Sequence, residues 1–277
     1  MADTGFVSVV IPTFRRAALL VEAVRSALAQ RDVAVEVIVV DDSPEGSAED
    51  AVRGIADERV RYVHRTTPSE GHPAVVRNEG LALSGGEYVH FLDDDDLLLP
   101  GALSAAVAAL ERNPDAAVAI GIVVPFGDDP QELAHQRAYF ESAARRLRAT
   151  RTRIGLVAEM LFAHTPLVNS ACTIRRECAI GVEGYSPAVA RCEDVDFYLR
   201  AIRRGGFVFT DRPAVAYRTG APSLMHSLED ASVMRASYHE IYRQYREEHG
   251  EVEFASLRAA ALARRAGERA GGWPTVR

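Results

Sequence analysis

Four consecutive aspartates, Asp93 to Asp96, directly follow an apolar run, residues 88–92, that has the composition of a buried strand. Neighbouring carboxylates repel one another, and burying them without partners would be costly. Mg²⁺ and Mn²⁺ prefer hard carboxylate oxygens, and substrate phosphates often complete the coordination shell. The run therefore predicts a divalent-cation site for a phosphorylated substrate. The alternative is a solvated turn in which Asp96 caps the next helix.

A second acidic pair, Glu193-Asp194, stands at the start of a helix that the sequence predicts over residues 194–204. The helix dipole favours an acidic residue in the first turn, so a capping role is one interpretation. The other interpretation is a general base that removes the proton of an acceptor hydroxyl. The sequence at this point leaves both open.

A third acidic pair, Asp41-Asp42, ends the predicted strand 35–40. A carboxylate in this place can bind a ribose hydroxyl or a base N–H. An Asx-turn with Ser43 and Pro44 is the structural interpretation. One carboxylate can serve both purposes, so the two interpretations are compatible.

The basic residues exclude several classes of protein. All 32 are arginines, and the lack of lysine excludes a P-loop and any Schiff-base mechanism. No G-x-G-x-x-G segment occurs, so a dinucleotide-binding fingerprint is missing. The net charge of −7 argues against nucleic acid as a partner. Any basic side chain that clamps a phosphate here must be a guanidinium.

The cysteines and the apolar runs bear on the location of the protein. Cys172, Cys178 and Cys192 are spaced neither for a zinc site nor for disulfides, and they predict reduced, buried thiols in the cytoplasm. The N-terminus lacks the pattern of a signal peptide, and the apolar runs are too short to predict a transmembrane segment. Peripheral contact with the inner face of the membrane stays open.

The first hundred residues alternate apolar runs with amphipathic stretches. Strands are predicted over 7–11, 35–40, 60–63 and 88–92, and helices over 17–29, 47–56 and 73–84. This order predicts an α/β fold with a mainly parallel, Rossmann-like sheet flanked by helices. Such sheets bind ligands beyond the carboxyl ends of their strands, where residues 13–16, Asp41-Asp42 and the aspartate run are expected.

The rest of the chain predicts a continuation of this unit to about residue 220, followed by a helical extension over 221–277. The predicted elements are a helix over 101–112, a strand over 116–124, helical structure over 131–163, strands over 171–175, 208–210 and 215–218, and the helix over 194–204. Tyr238, Ile241, Tyr242 and Tyr245 recur at helical spacing. Their stripe predicts packing against the main domain or against a second copy of the chain in a homodimer.

Five segments in this order resemble the family 2 glycosyltransferases, which have the nucleotide-sugar-binding GT-A fold. They are VSVVIPTFRR (7–16), VEVIVVDDSPEG (35–46), VVRNEGLALSGGEYVHFLDDDDLLLPGAL (75–103), NSACTIRRECAIGVEGYSP (169–187) and CEDVDFYLRAIRRGG (192–206). The resemblance implies a nucleotide-sugar-binding half, residues 1–112, and an acceptor-binding half, residues 113–220.

The resemblance also implies roles for single residues. Asp194 matches the catalytic base, with Glu193 beside it near the acceptor. Asp93 and Asp95 occupy the D-x-D positions, with Asp95 as the direct metal ligand. The residues matched to the donor site are Pro12, Thr13, Arg15, Asp41, Asp42, Arg77, Asn78, Asp93 and Asp94, and Arg77 is the candidate for a guanidinium that faces the diphosphate.

The implied reaction is a single, inverting displacement. One sugar passes from a nucleotide diphosphate donor, a UDP-sugar by resemblance, to an acceptor hydroxyl, with Mn²⁺ or Mg²⁺ as cofactor. The acceptor could be a glycan, a lipid-linked intermediate, a small molecule or a protein. Transfer of one sugar is expected because the Q-x-x-R-W signature of processive synthases is missing.

Two departures from the family pattern leave alternatives. Family members often carry a histidine just after the Tyr-Arg pair of a late strand, but Tyr217-Arg218 is followed here by Thr219-Gly220. His226, further on, is a candidate to replace it. The alternative function is a non-catalytic nucleotide-sugar-binding protein. A sugar-nucleotide pyrophosphorylase is disfavoured because its G-x-G-[ST]-R loop and lysine are missing.

Overall fold

The computed structural model describes residues 5–163, 167–220 and 230–270. The strands are β1 (Phe6–Thr13), β2 (Ala34–Asp41), β3 (Val60–His64), β4 (Tyr88–Phe91), β5 (Leu97–Leu98), β6 (Val118–Phe126), β7 (Cys172–Arg175) and β8 (Phe207–Arg218). The helices are α1 (Ala17–Leu28), α2 (Glu49–Arg53), α3 (Pro73–Leu83), α4 (Ala102–Arg112), α5 (Pro130–Ala149), α6 (Arg153–Ala158), α7 (Arg176–Gly181), α8 (Glu193–Gly205), α9 (Asp230–His249) and α10 (Glu251–Ala270). A π-helical turn, Glu159–Ala163, and a 3₁₀ turn, Asn169–Ala171, complete the described elements.

The strands form one sheet in the order β3-β2-β1-β4-β7-β6-β8-β5. The first four along this order are parallel, which confirms the prediction for the first half of the chain. In the second half, β7 is antiparallel to both of its neighbours, β6 and β8 are parallel, and β5 is antiparallel to β8. The sheet as a whole is therefore mixed.

β1 lies inside the parallel part of the sheet, between β2 and β4, and its apolar side chains are buried on both faces. Val7, Val9, Val10 and Ile11 are fully inaccessible to solvent. On one face α3 packs so closely that a Cβ at Gly80 would lie 2.2 Å from Cγ1 of Val10. This approach fixes the position of α3, the helix that carries Arg77 and Asn78.

The parallel strands bring the polar clusters together at one edge of the sheet. Thr13, the last residue of β1, pairs in register with Asp41, the last residue of β2. On the other side of β1, Leu92 donates its backbone N–H to Val10, and the aspartate run begins at the next residue. The predicted placement of these clusters at the carboxyl edge is thus confirmed.

Some local predictions were wrong or incomplete. The two late strands are one strand, β8, whose pairing with β6 shifts register around Ile122. β5 and α7 were not predicted because two and six residues are too few to show a period. Asp96 does not cap α4, since that helix begins after Gly101, which has a left-handed φ of 77°.

The C-terminal helices α9 and α10 pack on the main domain. Ile241, Tyr245 and Phe254 are buried in the same apolar cluster as Phe197 and Ile202 of α8. The stripe predicted on the tail is therefore explained by packing within the chain, and a homodimer stays a prediction. None of the helices in the described ranges has both the length and the apolar character needed to cross a bilayer.

Candidate active site

The aspartate run lies between the end of β1, which Asp94 contacts through Thr13, and the start of α8, which Asp93 reaches through Arg77, and we refer to this region as the cleft. Asp94 and Asp96 are buried, at 6% and 1% exposure, so the interpretation of a solvated turn is wrong. Asp93 and Asp95 face the open side, with side chains 31% and 18% exposed. The run therefore offers two accessible carboxylates on a buried support.

Asp94 is held by β1 and by the residue before α1. Its Oδ2 accepts a hydrogen bond of 2.7 Å from the Thr13 hydroxyl, and its Oδ1 lies 3.2 Å from Nη1 of Arg16. The same Nη1 lies 2.8 Å from Oδ2 of Asp95. Burial raises the pKa of Asp94 to about 6, although the Thr13 hydrogen bond lowers it. Arg16 thus supplies positive charge to both carboxylates.

Arg16 was missed by the sequence analysis, which chose Arg15. The Arg15 backbone has a left-handed φ of 57°, which turns its side chain away from the cleft. There it pairs with Glu45 at 2.7 Å, and both side chains are about half exposed. Both arginines follow β1, and only the backbone conformation decides which one reaches the aspartates.

Arg77 connects the two acidic motifs. Its Nη2 lies 2.7 Å from Oδ1 of Asp93, and its Nη1 lies 2.5 Å from Oε1 of Glu193, a residue 116 positions further along the chain. The guanidinium is buried and lies over the ring of Tyr185, 5.6 Å from its centroid. This buried bridge holds the aspartate run and the start of α8 side by side.

Asp194 has the environment of a general base. Burial raises its pKa to about 7, the neighbouring Glu193 raises it further, and Arg77 opposes the shift. Its Oδ1 accepts the backbone N–H of Val195 at 2.8 Å, which fixes the carboxylate in the first turn of α8. A carboxylate with a pKa near neutrality can accept a proton from a hydroxyl and release it again.

Two tyrosines from segments without recognised motifs lie near Asp194. Burial raises the pKa of Tyr139, on α5, and the Asp194 carboxylate adds to the shift. Burial also raises the pKa of Tyr238 on α9, and the Cys192 thiol and the Asp194 carboxylate raise it further. The Ser237 hydroxyl accepts the backbone N–H of Arg191 at 3.0 Å and so docks α9 beside the start of α8. Neither tyrosine was predicted at the site.

Asp96 supports the floor of the cleft from below. Its Oδ1 accepts the backbone N–H of Arg218 at 3.0 Å, and the Arg218 Nε donates to the backbone oxygen of Asp95 at 2.9 Å. Burial raises the pKa of Asp96 well above its ordinary value, and the Asp93 and Asp95 carboxylates raise it further. The end of β8 is thereby tied to the end of β4.

Asp41 and Asp42 accept hydrogen bonds from the loop after β2, from β3 and from the segment after β3. Asp41 accepts from the Ser43 backbone and hydroxyl at 2.9 and 2.6 Å, from the Ala48 backbone at 2.9 Å and from the Tyr62 hydroxyl at 2.9 Å. The Asx-turn interpretation is thus confirmed. Asp42 binds Arg65 and the backbone and hydroxyl of Ser69. Their contacts with a nucleotide stay predictions.

Asn78 and Pro12 lie close to the cleft but serve the fold. The Asn78 amide donates to the backbone oxygen of Tyr185 and accepts from its backbone N–H, both at 2.8 Å. It therefore fixes the loop that carries the ring beneath Arg77. Pro12 is a half-buried residue of β1 next to Thr13.

The fit of a metal ion can be judged from the carboxylates. Asp93 and Asp95 each give one oxygen to an arginine and keep the other. Within the described ranges, no three His, Cys, Asp or Glu side chains are grouped to hold a metal. The residues therefore fit a cation whose shell is completed by substrate phosphates, as is common for Mg²⁺, and not a closed protein cage. His226 lies outside the described residues.

Solved structures define the class of fold. The structure of S. aureus TarS 1–349 in complex with UDP-GlcNAc matches with a TM-score of 0.67 and 19% identity, over 92% of this chain and 71% of that one. The complex of the same protein with UDP matches with a TM-score of 0.64 and 20% identity, over 92% and 70%. The fold is thus a mixed α/β fold of the GT-A type, as predicted.

Comparison of the sequence with known protein families identifies the family of this chain. Residues 8–171, more than half of the chain, match the model of glycosyl transferase family 2, and the chain belongs to this family. The GalNAc(5)-diNAcBac-PP-undecaprenol beta-1,3-glucosyltransferase of Campylobacter jejuni is 40% identical over 99 residues, which are 35% of this chain and 32% of that protein. The putative colanic acid biosynthesis glycosyl transferase WcaA of Escherichia coli is 33% identical over 110 residues, 39% of each chain. The matches span well under half the length of either relative.

Proposed function

We propose that this protein is an inverting glycosyltransferase that moves one sugar from a nucleotide diphosphate donor to an acceptor hydroxyl and requires a divalent cation. The observation that carries the proposal is the Arg77 bridge between Asp93 and Glu193. It ties a candidate cation ligand, Asp93, to Glu193, the residue next to the candidate base Asp194. Family 2 membership and the GT-A fold support the same reaction class.

In the proposed reaction Asp194 acts as the general base. Its carboxylate takes the proton of the acceptor hydroxyl while that oxygen attacks the anomeric carbon from the side opposite the leaving diphosphate. The new carbon–oxygen bond forms as the bond to the diphosphate breaks, so the anomeric configuration inverts. Glu193 keeps the pKa of Asp194 raised, and Arg77 limits the shift.

Asp95 and Asp93 would hold the cation. When bound, Mg²⁺ or Mn²⁺ would offset the negative charge that develops on the departing diphosphate. Arg16, already between Asp94 and Asp95, is placed to add a guanidinium to the same region. The buried carboxylates Asp94 and Asp96 keep the accessible pair in position.

A UDP-sugar is the donor we propose. TarS structures contain UDP-GlcNAc and UDP, and the fold is shared over 92% of this chain. In this proposal Thr13 and Pro12 at the end of β1 line the nucleotide site, and the loops held by Asp41 and Asp42 form its wall.

The acceptor side would be formed by Tyr139 and Tyr238, which lie near Asp194. A sugar ring can pack on an aromatic ring while its hydroxyls find polar partners. The names of the relatives include a polysaccharide biosynthesis transferase and a transferase for a lipid-linked glycan. We therefore propose a glycan or a lipid-linked glycan as acceptor.

Calorimetric titration of the folded protein with UDP, GDP and dTDP, each with and without Mn²⁺, tests the donor site. We expect UDP to bind, and to bind more tightly with Mn²⁺. Binding of no nucleotide would contradict the proposed function. Binding together with the absence of both hydrolysis and transfer to any acceptor would favour the alternative, a nucleotide-sugar-binding protein.

A further inference from the structure

A cavity of about 290 Å³ lies between the π-helical turn, α9 and α10, outside the cleft described above. Three aromatic rings line it: Phe162, Tyr242 and Phe254. Adjacent rings are in contact, with centroid separations of 5.1 Å for Phe162 and Phe254 and 5.4 Å for Tyr242 and Phe254. The volume lies just below the range of about 300–1,000 Å³ typical of pockets for drug-sized ligands, so it suits a small ligand.

Two arginines give this aromatic cavity a positive rim. The Arg246 guanidinium lies 4.3 Å from the centroid of Phe254, and its buried Nε makes no hydrogen bond. The nearest carboxylate oxygen, on the largely exposed Glu251, is 3.5 Å away. Arg258, one helical turn after Phe254 on α10, also lines the cavity. In the described part of the chain no hydrogen bond or ion pair involves its guanidinium.

The remaining wall is apolar and open to solvent. Leu262, one turn beyond Arg258, lines the cavity although it is 56% exposed. Leu262 therefore gives the cavity an apolar wall one helical turn from the Arg258 guanidinium. The combination fits a ligand that has both an apolar body and an anionic end.

We propose that this cavity binds an amphiphilic anion, a phosphate monoester with a short hydrocarbon chain. The chain would lie against the aromatic rings and Leu262, and the phosphate would be bound by Arg246 and Arg258, whose guanidinium groups suit phosphate geometry. Tyr238, near Asp194, precedes Arg246 by eight residues on α9, or about 12 Å at the rise of an α-helix. The Tyr242 ring, however, lies only 6.0 Å from the Tyr238 ring, so the cavity adjoins the proposed acceptor side, and its two arginines lie further along α9 and α10. The chemistry proposed for the cavity does not depend on the proposed function.

Titration calorimetry with three soluble probes, below their aggregation concentrations, tests the chemistry of this site. We expect geranyl phosphate to bind, geraniol to bind at least tenfold more weakly, and inorganic phosphate not to bind. Saturating UDP should leave the affinity for geranyl phosphate unchanged. Equal binding of geraniol, binding by inorganic phosphate alone, or competition by UDP would overturn the proposal.

Two variants of cavity residues, each with a matched control elsewhere on the surface, test where the ligand binds. Arg258→Gln should weaken geranyl phosphate about tenfold, the scale of one charge-assisted hydrogen bond, whereas Arg112→Gln, which removes an exposed arginine from α4, should not. Leu262→Asn should weaken it by a smaller factor, and Val252→Asn, at an 83% exposed position of α10, should have no effect. Thermal unfolding checks that all four variants fold. Wild-type affinity in both Arg258→Gln and Leu262→Asn would refute the site.

Discussion

The acidic residues at the ends of β2 and β4 occupy similar places in the sheet, on the two sides of β1, but their surroundings differ. At the end of β2, Asp41 and Asp42 accept hydrogen bonds from backbone N–H groups, hydroxyls and an arginine of the loop after β2, of β3 and of the segment after β3. At the end of β4, the aspartates share two guanidinium groups and few other donors, and burial raises the pKa of Asp94 and Asp95.

The position in the sheet therefore does not decide the role of an acidic residue. At the β2 end both carboxylates already have hydrogen-bond donors from neighbouring segments of the chain. The β4 end holds carboxylates that still repel one another, and a bound cation would relieve that repulsion. We therefore expect Asp41 and Asp42 to stabilise the fold, and the aspartates at the β4 end to bind a cation.

The largest expected effect is on the Mn²⁺-dependent part of UDP binding, which should distinguish the β4 end from the β2 end. Asp95→Asn removes a charge from the β4 end, and we expect the Mn²⁺-dependent part of UDP binding to disappear. Asp42→Asn makes the same chemical change at the β2 end and should retain a gain in affinity with Mn²⁺. Calorimetry of both variants checks this, and an unchanged Mn²⁺ effect in Asp95→Asn would remove Asp95 from the metal role.

Asp194→Asn extends the comparison to the start of α8. We expect transfer to fall by about 10²-fold or more, the scale of a lost general base, while UDP affinity stays near that of the wild type. In the wild type the rate should rise with pH through about 7, because the base must lose its proton. Measured rates against pH check both points, and near-normal transfer by the variant would exclude Asp194 as the base.

Asp41→Ala tests the stabilising role of the β2 end. The change leaves the Ala48 N–H, the Tyr62 hydroxyl and the Ser43 donors without their acceptor. We expect the free energy of unfolding to fall by about 3 kcal/mol in urea denaturation. Asp95→Ala, measured in parallel, should change it by less than about 1 kcal/mol or raise it. Equal losses would mean that the two ends do not differ.

The smallest effect concerns the pH dependence of stability. Since burial raises the pKa of Asp94 to about 6 from 3.8, the folded state holds its proton more tightly than the unfolded state. The contribution of protonated Asp94 to the free energy of unfolding is fully present below about pH 4 and is lost as the pH rises through about 6. We expect the free energy of unfolding of Asp94→Asn to fall by about 2 kcal/mol less than that of the wild type across this range. Urea denaturation at several pH values checks this, and parallel curves would contradict it.

Much of the fold could be predicted because its first strands are rich in β-branched residues and end at polar clusters. Val7–Ile11 and Val35–Val40 show both features, and their parallel pairing follows from the helices between them. The short β5 has no such signal. The antiparallel insertion of β7 between β4 and β6 depends on the tertiary path of the chain, which no local pattern records.

The site could be predicted only where a motif and its partner lie at element ends. Asp93, Asp95, Glu193 and Asp194 came together at one cleft as expected, and Arg77 lies between them. The choice of Arg15 over Arg16 failed because it depends on one backbone dihedral angle. Tyr139 and Tyr238 reach the site only through the packing of α5 and α9, and their sequence spacing is that of any amphipathic helix.

The apolar core shared by α8, α9 and α10 has a consequence for protein engineering. Segments can be exchanged between proteins where few apolar contacts cross their boundary. Here Ile241, Tyr245 and Phe254 share a cluster with α8, and Arg203 of α8 pairs with Glu253 of α10 at 3.0 Å. Grafting C-terminal helices from another protein to change the acceptor would therefore require a redesigned face of α8 as well, whereas the parallel half of the sheet could be kept as it is.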